Sequence, residues 1–322
     1  MTDDDYPSHW DRYHRTYAGL PTAMVPWDEE NGPQPDAGSV AWRLSAYGPD
    51  GEAIGEHLDW LFEHVDTAKV TAVVIGLWED CDTQSSAPVV RRLAEEAGRL
   101  PELRSLFFGA ISPEECEISW IQQSDITPLL EAYPKLERLE VRGGSELRLS
   151  PVRHESLKVL RFESGGLPGE VVRAVAASDL PALEHLELWL GVPEYGGDSG
   201  VSDVGPILRG ERLPALRHLG LQDSEIQDDL AAAVATAPIV ARLETLSLSM
   251  GALSDAGAEA LLSGQPLTHL RALDLHHHYL SEAMVQRVIQ ALPGVRVDVS
   301  EQEKADVDED GGEAWRYVAV DE

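Results

Sequence analysis

LPALRHLGLQDSEI begins at Leu213, ARLETLSLSMGAL at Ala241 and LTHLRALDLHHHYL at Leu267. Aligned on the first leucine of an L-x-x-L-x-L phrase, they start at Leu216, Leu243 and Leu270, 27 residues apart each time. Within each phrase the apolar residues alternate: Leu219 and Leu221, Leu246 and Leu248, Leu273 and Leu275. A period of two puts them on one face of a short strand and the residues between them on the other. A further apolar residue follows at Ile226, Leu253 and Leu280, and then helical stretches are predicted over 228–237, 254–263 and 281–292. Ser254 and Ser281 suit the N-cap, each with an acidic residue directly behind it to complement the helix dipole. One strand and one helix cannot bury a core alone, so such units must stack.

A phrase of this form at a period of 20–29 residues is the signature of leucine-rich repeats. The predicted fold is therefore α/β: a horseshoe solenoid with a concave parallel β-sheet and convex helices, capped at both ends. The phrase also runs backwards, at Leu183, Leu157, Leu136 and Leu103, with less even spacing. VTAVVIGLW, from Val70, reads as a still earlier strand, and GVRVDVS, from Gly294, as the last. Many such repeats carry Asn where Gly165, Ser224, Gly251 and His278 stand here. That Asn normally bonds neighbouring backbone, so its absence predicts turns held by glycine conformations and water instead.

The chain divides by composition. Residues 1–40, rich in Asp, Pro and Gly, read as a mobile leader or one partly pinned by Trp10, Tyr13, Tyr17 and Trp27. Residues 41–69 read as a strand and amphipathic helix capping the stack, and 70–300 as the solenoid. Residues 301–322 form an acidic linker and a last segment, WRYVAVDE, whose alternation either closes the stack as an edge strand or docks as a tail. A net charge of −32 argues against nucleic acid as a partner. No run of 18 apolar residues and no basic-then-apolar start are present, which predicts a cytoplasmic chain that meets no membrane.

Between the leucines, the concave positions read Arg138, Glu140, Arg142, then Arg161 and Glu163, then His185, Glu187, Trp189, then His218 and Gln222. Thr245, Ser247 and Ser249 follow, then Asp274 and His276. A basic group with Trp189 beside it, in a chain otherwise strongly acidic, has the composition of a recognition face. Arg138, Glu140, Arg142, Arg161, His185, Glu187, Trp189, His218, Asp274 and His276 are the candidate partner-binding residues, with Trp189 expected to be exposed. The plainer alternative is that these charges pair across strands, as Arg161 with Glu187. Arg161→Glu with Trp189→Ala is the substitution that would separate the two.

Two insert loops, LWEDCDTQSS and GAISPEECEISWIQQSDI, follow adjacent strands and should lie side by side. They offer Trp78, Glu114, Glu115 and Trp120 as further partner contacts. Cys81 and Cys116 sit there among acids, which raise a thiol's pKa, and neither His nor a C-x-x-C spacing accompanies them. In the His276-His277-His278 run, strand alternation lets at most two imidazoles converge. The Gly-rich loop from Gly191 lacks the pattern of a phosphate cradle. No metal, cofactor or catalytic set is therefore expected.

The texts EECEISWIQQSDI, LEVRGG, LELWLG with YGGD behind it, LRHLGLQDSEI and LHHHYLS, with AGLP near the start, resemble a family of bacterial leucine-rich-repeat proteins of the actinobacterial type. Members of that family are encoded near radical-SAM proteins. The resemblance implies a non-catalytic adaptor for such an enzyme or its peptide substrate, and it brings no catalytic residues. The expected function is an interaction scaffold that holds a protein or peptide on its concave face. The alternative is a hydrolase- or transferase-type enzyme, or a subunit of one, using the concave His and Glu residues. Oligomeric state is left open.

Overall fold

The computed structural model describes residues 15–28, 32–46, 53–307 and 314–320. Twelve strands form one sheet whose order in space is their order in the chain. They are β1 (Thr16–Tyr17), β2 (Leu20–Val25), β3 (Ala41–Leu44), β4 (Ala72–Ile75), β5 (Ser105–Phe108), β6 (Arg138–Arg142), β7 (Val159–Glu163), β8 (His185–Gly191), β9 (His218–Ser224), β10 (Thr245–Ser247), β11 (Ala272–Asp274) and β12 (Arg296–Asp298). β1 and β2 are antiparallel, and every other pairing is parallel. The three predicted helices appear at Gln227–Val234, Asp255–Ser263 and Glu282–Ala291. Ser254 and Ser281 cap the latter two by accepting from Ala256 N and Met284 N.

Register explains the stack. Leu106, Leu139, Leu160, Leu186, Leu219, Leu246 and Leu273 stand opposite one another along the sheet. Each is buried, in one continuous core with the inward faces of the helices. The apolar clusters of the other sheet face contain no α-helical residue among the described residues, and one short 3-10 turn, Ile118–Trp120, reaches onto it through Ile118. No helix among the described residues is long and apolar enough to cross a membrane.

The N-terminal end differs from the sequence reading. The segment read as a leader contributes β1 and β2, and β2 pairs in parallel with β3. Ala23 and Val25 supply the alternating apolar face that admits it to the sheet. Tyr17 folds onto Phe107, its ring centroid 5.9 Å away, and Trp27 packs against the main core. Trp10 and Tyr13 lie outside the described residues. β3, expected to start the cap, is thus an interior strand. At the other end β12 is the last strand of the sheet, and Asp306–Val307 (β13) and Ala314–Trp315 (β14) form a separate antiparallel ribbon.

The turns after the strands are held by left-handed glycines, as at Gly143 and Gly191, and also by side chains. His278, at one of the positions expected to carry Asn, is fully buried. Its Nδ1 accepts from Leu280 N at 3.1 Å and its Nε2 donates to Val299 O at 3.0 Å. Burial pushes its pKa down against the pull of the Val299 bond, which suits the neutral ring that Nδ1 needs in order to accept. Glutamines serve elsewhere: Gln227 donates to Leu221 O and Gln123 to Arg142 O. At Gly251 a Cβ would lie 2.3 Å from Gln227 Oε1, so here the glycine makes room for that amide. The Gly-rich loop turns towards the helices, where Asp198 Oδ1 accepts from Gly169 N at the start of helix Gly169–Ala177.

His278→Ala orphans one buried donor and one acceptor, so it should cost about 2–4 kcal/mol, while His278→Asn keeps most of that. The check is the urea unfolding midpoint at constant slope. An alanine variant as stable as wild type would show that His278 does not hold the turn.

Candidate functional site

Alternation along β6 to β11 delivers the predicted residues to the face opposite the α-helices, and there they find each other. Arg161 Nη2 lies 2.9 Å from Glu187 Oε1, its Nε 3.2 Å from Glu163 Oε1, and its Nη1 3.8 Å from Glu140 Oε2. Arg142 pairs with Glu163 at 2.9 Å and Arg138 with Glu140 at 2.9 Å. Three guanidiniums thus meet three carboxylates. Most of the set is buried: Arg161 is 7 % exposed, and Glu140, Arg142, Glu163 and Glu187 are no more open. Burial opposes ionisation of Glu187, but the Arg161 guanidinium, reinforced by the hydrogen bond from His185, outweighs it and holds the carboxyl well below its usual range.

The network continues in hydrogen bonds. Trp189 Nε1 donates to Glu187 Oε1 at 3.1 Å, and His185 Nε2 lies 3.1 Å from Glu187 Oε2. His185 and His218 stack with ring centroids 3.8 Å apart and planes 6° off parallel. His218 Nδ1 meets Thr245 Oγ1. Further along, Gln222, Ser249, Ser247 and Asp274 form a chain with steps of 2.8–2.9 Å, and Asp274 Oδ1 meets His276 Nδ1 at 2.8 Å.

The cross-strand pairing alternative, Arg161 with Glu187, is therefore what forms. Glu140, Arg142, Arg161 and Glu187 are interior ion pairs rather than a free recognition surface. Trp189 departs most from expectation at 2 % exposed. Its ring packs against Ile118 and Met250, with Val320 alongside, and the Arg161 guanidinium lies 5.4 Å from the ring centroid. Ile118 comes from the insert loop after β5 and Val320 from the C-terminal segment. Alternation within one strand reports which face a residue takes, and says nothing of what crosses that face.

The loop residues divide similarly. Trp78 is buried, stacked on Phe108, with Nε1 donating to Gln84 O, so it is core rather than contact. Trp120 is 54 % exposed, Glu114 is exposed, and half-buried Glu115 accepts from Ser112 N. The two loops do lie together, with Gln122 N donating to Cys81 O at 2.7 Å. The hydrogen bond between the thiols raises Cys81, where burial adds to it, and lowers Cys116, where burial opposes it, so the neighbouring acids do not decide both. Of the predicted face, Arg138, His185, Asp274 and His276 keep open side chains, and His218 less so.

One cluster gathers the concave His and Glu residues of the enzyme alternative. His185, Glu187 and His218 place one donor atom each within 4.8 Å. Two imidazoles and a carboxylate are a familiar ligand set for a divalent metal. The arrangement does not fit one as it stands. Parallel stacked rings aim their Nε2 lone pairs along parallel lines rather than at a shared point, and Arg161 already neutralises Glu187. The set is a hydrogen-bonded extension of the ion-pair network.

Removing a member of such a network leaves its partner charged and buried. Arg161→Ala should lower stability by about 3–5 kcal/mol, and Trp189→Ala by about 3–5 kcal/mol. Arg161→Glu sets a fourth carboxylate among three and should be worse. Arg161→Glu with Trp189→Ala would therefore unfold the site rather than probe a surface. Chemical denaturation of each single variant is the check, and stability changes below about 1 kcal/mol would refute the interior assignment.

Acid should act in the same place. Burial, with His185 as a like-charged neighbour, lowers His218 from an ordinary 6.5 to about 3. Between these values the unfolded chain binds a proton that the native chain refuses, so stability falls as pH drops from about 6.5. Glu187 adds stability that is full above about 4.5 and fades below it. His218→Gln should flatten the slope of stability between pH 6 and 4.5 by up to about 1.4 kcal/mol per pH unit. Urea midpoints across that range measure it, and an unchanged slope would show that His218 titrates normally.

No family model matches the chain, and no curated protein matches it. Among solved structures it is similar to the crystal structure of a Bacteroides fragilis protein, a structural-genomics target. The TM-score is 0.76 and the identity 31%, covering 83% of this chain and 76% of that one. An internalin from Listeria monocytogenes also matches, at a TM-score of 0.41 and 16% identity, covering 76% of this chain and 58% of the internalin.

Proposed function

This chain belongs to the family of that Bacteroides fragilis protein, and from that premise we propose that it is a leucine-rich-repeat solenoid serving as a non-catalytic interaction scaffold. The observation that carries the reading is the sheet itself, whose strands follow chain order with leucines in register and leave one face without an α-helix among the described residues. Such a face is the recognition surface of solenoids. Its accessible groups are Arg138, His185, Asp274 and His276, and Trp120 stands exposed on the neighbouring insert loop. The partner class is a protein or peptide, namely a co-encoded radical-SAM enzyme or the peptide it modifies. That partner comes from the sequence resemblance, not from the geometry. The cytoplasm, where such a pair would meet, is the compartment that goes with it.

A hydrolase or transferase built on His185, Glu187 and His218 fits less well. A base held at about 3 is mostly unable to take a proton near neutrality. Glu187 is committed to Arg161 and Trp189.

Exposed aromatic and Arg side chains are the residues most often decisive in interfaces. Trp120→Ala and Arg138→Glu should each weaken binding of the co-encoded enzyme or its peptide by about tenfold or more; Trp120→Ala should leave thermal stability unaltered, whereas Arg138→Glu also lowers it by setting a carboxylate against buried Glu140. Titration calorimetry with the purified partner is the measurement. Affinity unchanged in both variants would remove this face from consideration.

A further inference from the structure

Three residues other than glycine adopt a left-handed backbone at the same place in successive repeats: Asp223 (φ 54°), Met250 (φ 68°) and His277 (φ 51°). They stand 27 residues apart, just beyond the strand leucines. Left-handed backbone is unusual for such residues and marks a conformation imposed by the surroundings. The C-terminal segment crosses this row and bonds to each member. His277 Nε2 meets Tyr317 O at 3.2 Å, Ala319 N donates to Met250 O at 2.8 Å, and Val320 N donates to Asp223 Oδ1 at 2.9 Å. Tyr279 adds a clamp: its hydroxyl accepts from Tyr317 N at 2.8 Å and lies 2.9 Å from Tyr317 O.

The segment is extended and alternates. Arg316, Val318 and Val320 face the protein, while Trp315, Tyr317 and Ala319 face outward. Arg316 anchors it, donating to Asp228 Oδ2 at 3.2 Å and to Ala252 O at 3.0 Å. Asp228 is held ready by Ser254 N and Gly257 N. An open cavity of about 550 Å³ beside the anchor, lined in part by Ser254, Tyr279, Gln302 and Arg316, leaves room for a bulkier side chain there.

We propose that this row is a docking track for an extended peptide of the pattern basic-x-aliphatic-x-aliphatic, and that residues 314–320 occupy it as a displaceable strap. Recognition of Tyr317, Ala319 and Val320 is through main-chain groups, which any extended segment offers, as in strand-addition modes. Specificity comes from the Asp228 anchor and from the recesses that take Val318 and Val320. The anchor is partly open to solvent and Val318 is the single fully buried side chain among 314–320, so the hold is modest. A chain of net charge −32 also favours a partner that brings its own basic residue. This track is separate from the face around Trp120 and Arg138, and the proposal stands whether or not that face binds.

The test titrates a fluorescently labelled peptide of the sequence AWRYVAV into the full chain and reads anisotropy. Wild type, with its track filled by a tethered copy, should bind about tenfold or more weakly than Val318→Asp, whose strap is loosened. Adding Asp228→Ala to the loosened chain, or replacing the peptide's arginine with glutamate, should remove the gain. If Val318→Asp fails to fold by circular dichroism, Arg316→Glu loosens the strap at its solvent-open anchor and takes its place. Equal binding to wild type and a folded loosened chain, or binding to neither, overturns the proposal. A wild-type chain that dimerises with rising concentration by exchanging its last residues also overturns it, because the track's occupant would then be a second copy.

Discussion

A strand with leucines at alternate positions and one short helix behind it has nowhere to hide those leucines except against the next strand and helix. That constraint sets the register of the whole sheet. Leu139, Leu160, Leu186, Leu219, Leu246 and Leu273 align because a slip of one residue would turn each strand's leucines out of the core. Once they align, the residues between them are aligned too, on the other face. Arg138 must stand beside Val159, Glu140 beside Arg161, and Arg161 beside Glu187, whether or not those neighbours suit one another. In this chain they do suit, and three guanidiniums and three carboxylates cancel within a few ångströms.

The buried charge network is thus a consequence of apolar register, and its closure depends on what lies over it. Ile118 and Val320 come from remote parts of the chain to cover Trp189. Water excluded there strengthens each pairing and raises the penalty for breaking it. The same exclusion keeps His218 neutral, while Arg161 keeps Glu187 charged against it, which ties the region's stability to mild acid.

Much of this was legible in the residues. The 27-residue phrase carried the strand order, the caps at Ser254 and Ser281, and the face on which each polar residue would stand, because periodicity and capping are local. The neighbourhood of the Cys81 and Cys116 loops followed from strand adjacency. What local text could not carry was covering. Trp78 and Trp189 read as contact aromatics because nothing beside them in sequence announces Phe108, Ile118 or Val320. The leader was misjudged because β2 is short and begins with Leu-Pro, so its pairing depends on β3 rather than on its own propensity. His278 was read only as a missing Asn, although an imidazole has a donor and an acceptor that can do an amide's work.

The strap over Asp223, Met250 and His277 has a consequence for how the molecule assembles. Strand pairings join neighbours in chain order, so each unit needs only the one before it, and folding can propagate along the stack. The bonds from Arg316 to Asp228 and from Val320 to Asp223 span 88 and 97 residues. They close the longest loops and have no rail to bind until β9, β10 and β11 are in place, so their entropic cost is met last. On heating or in denaturant the order reverses. Loss of the strap uncovers Trp189, and the buried charges beneath it become the next part of the protein to meet water.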